Sequence, residues 1–74
     1  MDNKLSELLC GVLDLDSITA ADSVETVASW DFLRHLQLMT ALEESYGIVL
    51  EPEEMMELNN VAAIQSLIAA RGAS

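Results

Sequence analysis

Seventy-four residues, 51% of them hydrophobic, allow one domain over residues 1–74 with one small core, and leave little room for an enclosed active site. Thirteen acids against three bases give a net charge of -10. That disfavours nucleic acid and anionic membrane surfaces, whose binders carry Lys and Arg, and it suits partners that present basic patches. One cysteine, Cys10, rules out an internal disulfide, and with a single histidine a zinc site is a poor fit.

In chain order, Leu5, Leu8, Leu9, Val12 and Leu13 recur at helical spacing, which predicts a first helix over about residues 3–14 with Asp2 or Asn3 as its cap. Cys10 lies in this run, where a buried thiol is expected; such usage fits a reducing cytoplasm. Residues 15–30 show no sustained period and predict a long loop with one short turn, pinned to the core by Ile18, Val24, Val27 and Trp30. Asp31 is placed to cap a second helix over 32–46, and Gly47 to end it in the left-handed conformation. Ile48-Val49-Leu50 is β-prone but has no second strand to pair with. Pro52, followed by Glu53 and Glu54, predicts a short third helix over about 53–58. Asn59 or Asn60 then caps a last helix over about 60–71, with Val61, Ile64, Leu67 and Ile68 inward. The expected architecture is all-α: a four-helix bundle with a long first connection and a short third helix. No apolar stretch approaches the roughly 20 residues of a membrane span. The N-terminus lacks the basic and apolar regions of a signal peptide.

At about 100° per residue, the second helix separates into two faces. His35, Leu38, Met39, Leu42 and Tyr46 form the core stripe, with Phe32 near its edge. Leu33, Leu36, Gln37, Thr40 and Glu44 lie opposite, with Glu43 at the border. Two leucines one turn apart on a face that should meet water suggest a docking patch.

Trp30-Asp31-x-Leu33, then His35-Leu36-Gln37-Leu38, then Ala41-Leu42-Glu43-Glu44-x-Tyr46-Gly47-Ile48, then Pro52-Glu53-Glu54 and Val61, follow one another in an order and spacing that resemble an acyl carrier protein over nearly the whole chain. The resemblance implies an acyl-carrier-type four-helix fold without catalytic activity of its own. It implies an acyl or aminoacyl group held as a thioester on a 4'-phosphopantetheine arm, in fatty acid or secondary metabolite biosynthesis. It implies partners with basic patches: an acyl or aminoacyl ligase, an acyltransferase, a synthase, and the phosphopantetheinyl transferase that installs the arm on a serine. Transferred by position, the partner surface is Leu33, Leu36, Thr40, Glu43, Glu44, Glu54 and Met55, and the attachment site is residue 32 with neighbours Trp30, Asp31 and Leu33. Here the chain departs from the family. Position 32 is Phe, which has no nucleophilic oxygen, so the arm is not expected on this chain, whether it is a Ser→Phe variant of a normal carrier or a naturally degenerate one. Arg34 and Gln37 also depart from the acidic pattern of fatty-acid carriers and hint at a specialised pathway. The alternative reading is a helical interaction or regulatory module of the same fold that never carries an arm. In either reading the chain is expected to be monomeric and not an enzyme.

Other chemistry is poorly served. Ser29 stands three residues too early to put an arm at the helix start, and Ser17 and Ser23 read as turn or cap residues. Asp14, Asp16, Asp22 and Glu25 match acidic positions of a calcium loop, but Ile18 and Thr19 stand where an oxygen ligand and a glycine are needed. His35 has no Ser or Cys partner at useful spacing and is expected to be packed. Met55-Met56 suits either contact or core filling.

Overall fold

The computed structural model describes residues 2–72 and is all-α. Its helices are α1 (Asn3–Leu13), α2 (Phe32–Tyr46), α3 (Pro52–Glu57) and α4 (Val61–Leu67), and α4 runs into a π-helical turn at Ile68–Gly72. The starts of the first two helices are set as the sequence predicts. The Asp2 side chain accepts from the Lys4 backbone N–H, and the Asp31 side chain from that of Arg34. Gly47 ends α2 at φ 64°, the region open to glycine at no steric cost. Asp14 does the same for α1 at φ 57° without being glycine, and its N–H reaches the Cys10 carbonyl. The third helix begins one residue earlier than expected. Pro52 is its first residue, Glu51 its cap, and Glu51 with Glu54 closes a reciprocal capping box. Asn60, not Asn59, caps α4 by accepting from Ala63 N–H at 2.8 Å. Residues 68–71, expected to continue that helix, are in the π turn instead.

One apolar cluster holds the helices together. Leu5, Leu9 and Leu13 of α1 meet Leu38, Met39 and Leu42 of α2, with Leu50, Leu58, Val61, Ile64 and Ile68 closing the far side. Burial of side chains of this size contributes about 1.5–3 kcal/mol each before entropy is counted. Four expectations need correction here. Cys10, Leu67, Tyr46 and His35 are half-buried at the margin, not enclosed. The Tyr46 ring is covered by Lys4, whose ammonium lies 4.3 Å from the ring centroid and donates to the Ser45 carbonyl at 2.9 Å. At the opposite end, Arg34 of α2 donates to the Val12 carbonyl at 2.9 Å. The start of α1 therefore meets the end of α2, and the reverse: the two helices are antiparallel, and each cation sits on the negative end of the other helix.

The connection between α1 and α2 is more ordered than a loop with one turn. Three backbone bonds, Asp22 N–H to Thr19, Thr26 N–H to Ser23 and Trp30 N–H to Val27, mark three successive turns. Ile18, Val27 and Trp30 are buried as expected, but Val24 is exposed. The backbone at Val24 pairs with the segment before α4. Its N–H donates to the Asn59 carbonyl and Val61 N–H to the Asp22 carbonyl, both at 3.0 Å, an antiparallel bridge between Ser23 and Asn60. This bridge fastens the connection to the start of α4. Ile48-Val49-Leu50 forms no strand; Leu50 is buried and Val49 exposed.

Asp22 organises these turns. Its carboxylate accepts from Thr19 N–H at 2.9 Å and from the Thr26 hydroxyl at 3.0 Å. These bonds favour the ionised form and hold its pKa below the ordinary 3.8. With the folded-state value lowered, the contribution is complete above the unfolded pKa and is lost as pH falls through the folded one. Asp22→Asn should therefore lower the melting temperature at neutral pH. It should also flatten the part of the acid-melting profile that lies below 3.8, which thermal melts across that range will detect.

Candidate functional site

The start of α2 is where exposed apolar surface concentrates. Phe32, its first residue, is 78% exposed, Leu33 62% and Leu36 43%. Phe32 faces water because Asp31 and Trp30 turn the chain there. Trp30, 4% exposed, goes inward, Asp31 caps, and the next side chain is left outside. The edge-of-core position expected for Phe32 is thus corrected outward. Across from it Met56 of α3 is 77% exposed. Val24, Trp30, Asp31, Phe32, His35, Met56 and Asn59 line a groove of about 330 Å³ between them.

His35 lies beneath this groove, and its role was not readable from periodicity. Its Nδ1 accepts from the Trp30 indole N–H at 3.0 Å, and its Nε2 lies 2.7 Å from the Met55 carbonyl. The two rings stack with an interplanar angle of 28°. One side chain thus ties the connection, α2 and α3 together.

The expected partner residues separate into two groups. Leu33, Leu36, Thr40 and Glu44 are exposed, and Leu36, Gln37, Thr40, Ala41 and Glu44 line a shallow groove of about 350 Å³ on the outer face of α2. Thr40 turns its hydroxyl back to the Leu36 carbonyl at 3.1 Å. Glu43, Glu54 and Met55 are half-buried and also make contacts within the fold. Glu43 accepts from Leu50 N–H at 2.9 Å and ties down the chain after α2. Glu54 accepts from Glu51 N–H at 3.0 Å and is ion-paired with Arg71. Met55 is half-buried, so the exposed methionine is Met56.

At the start of α2 Phe32 presents no hydroxyl. Ser29, the nearest upstream hydroxyl, donates to the Leu13 carbonyl at 2.6 Å and is partly buried. Ser23 accepts from Glu25 N–H within a turn. The acidic side chains of the connection do not gather either: among the described residues no group of three or more His, Cys, Asp or Glu could hold a metal ion. Nor is any described helix long and apolar enough to cross a membrane. Compared with protein-family models and with curated proteins, the chain matches none.

The two faces of α2 can be told apart by truncation. Leu38→Ala, at a fully buried position, should cost about 2–5 kcal/mol. Leu36→Ala should cost about 0.5 kcal/mol or less. Denaturant melts of the two variants measure both.

Proposed function

We propose that this chain is a domain of acyl-carrier type that acts by docking to partner enzymes and, as it stands, carries no arm. The support is the ordered resemblance from Trp30 to Val61 together with an all-α, four-helix chain. The single observation that carries the docking half is the exposed apolar run Phe32, Leu33 and Leu36 at the start of α2. Exposed leucines are common one at a time; three large apolar side chains within five residues, beside the exposed acid Glu44, are what a partner with an apolar recess and a basic rim would recognise. In this reading the partners are carrier-dependent enzymes of fatty acid or secondary metabolite biosynthesis: an acyl or aminoacyl ligase, an acyltransferase or a synthase. The domain lends them a surface and has no catalytic group of its own.

A second reading, a helical interaction or regulatory module outside the carrier class, is favoured by Phe32 itself. An aromatic residue at that position serves contact and removes the attachment chemistry.

Two measurements decide between them. Incubated with a broad-specificity phosphopantetheinyl transferase and coenzyme A, the chain should keep its mass, whereas Phe32→Ser should gain one arm. Because Phe32 is 78% exposed, the substitution should cost about 1 kcal/mol or less, checked by circular dichroism melting. A folded Phe32→Ser variant that stays unmodified moves the chain to the second reading.

In the same Phe32→Ser background, Glu44→Lys should slow arm transfer, and added salt should narrow the difference. A rate insensitive to both changes would remove Glu44 from the docking surface.

A further inference from the structure

We propose that His35 is a proton-operated latch that holds the connection between α1 and α2 onto the bundle. The latch does not rest on the docking reading, since it is argued only from bonds within the chain. A tryptophan indole N–H only donates, and a backbone carbonyl only accepts. With the Trp30 N–H 3.0 Å from Nδ1 and the Met55 carbonyl 2.7 Å from Nε2, the ring satisfies both partners in one form, neutral with its proton on Nε2.

A proton taken from solvent onto Nδ1 would point at the indole N–H, donor against donor, and that bond is lost. The Met55 bond survives and becomes charge-assisted, so the ring stays with α3 and Trp30 is the side that leaves. Trp30 is 4% exposed, and an indole N–H left there without an acceptor is destabilising. Release of Trp30 loosens the end of the connection and reshapes the groove formed by Val24, Trp30, Phe32 and Met56.

The charged groups on the elements packed against the ring are few. The connection brings Asp31, whose side chain lines the same groove and caps α2. α2 brings Arg34, turned to the Val12 carbonyl. α3 brings Glu54, paired with Arg71, and the exposed Glu53 and Glu57. Among the described residues, the ring nitrogens bond only to Trp30 and Met55.

Trp30 is the single tryptophan, so its emission reports the latch. Emission and far-ultraviolet circular dichroism are followed as the pH is lowered from about 8 until the ring has taken up its proton. Nuclear magnetic resonance of the ring nitrogens and of the indole N–H runs in parallel. The expected result is one step in emission with helix content retained. The indole N–H signal should move at the same midpoint as the ring signals, and the ring should be in the Nε2–H form at the alkaline end. His35→Gln should lose the step, and Asp31→Asn should keep it. Flat emission overturns the proposal, as does a step that persists in His35→Gln or disappears in Asp31→Asn. If His35→Gln does not fold, the unsubstituted chain still decides: ring signals that titrate while the indole N–H signal stays fixed also overturn it.

Discussion

The placement of Trp30 is the interaction on which the site depends. Its ring fills the core beside the start of α2, and its N–H must find an acceptor there, because a buried donor without one is costly. His35, five residues on, supplies that acceptor and passes the link to the Met55 carbonyl. Fixing Trp30 inward sets Asp31 as the cap and leaves Phe32 outside. Fixing Met55 against His35 turns Met56 outward. The exposed apolar surface at the head of α2 is thus the outer side of an ordered inner arrangement.

Charge is distributed with similar economy. Lys4, Arg34 and Arg71 are the only bases, and all three are drawn to carbonyl or carboxylate groups of this chain. Lys4 and Arg34 lie on the ends of helices whose own last turns carry no basic residue. The exposed surface is therefore largely acidic and apolar, with its few positive groups already occupied within the chain.

Much of the helix layout was legible in the sequence. Asp31 and Gly47 bound α2 because capping and left-handed termination depend on residue type and immediate neighbours. Apolar spacing likewise separates Leu38, Met39 and Leu42 from Leu33 and Leu36. What periodicity missed were contacts between segments distant in sequence or reversed in direction. Glu43, at the border of the outer face, also accepts from Leu50 N–H where the chain turns back, a contact its helical position does not reveal. Val24 looked like an anchor because its apolar side chain was legible and the hydrogen bond from its backbone to Asn59 was not. Met55 and Met56 could not be ordered inside and outside, since α3 is too short to define a face of its own. The carrier resemblance concerns residue order, and its functional half rests on position 32, where this chain differs.

The bridge between Ser23 and Asn60 also bears on the order in which the molecule assembles. Most hydrogen bonds of the connection are local and can form within a few residues. The bonds from Val24 to Asn59 and from Val61 to Asp22 join segments from opposite halves of the chain. Their sequence separations are the largest among the backbone–backbone bonds described, so the loop closure they require costs the most entropy. Because both bonds run between backbone groups, the bridge depends on the path of the chain more than on the side chains at Ser23 and Asn60.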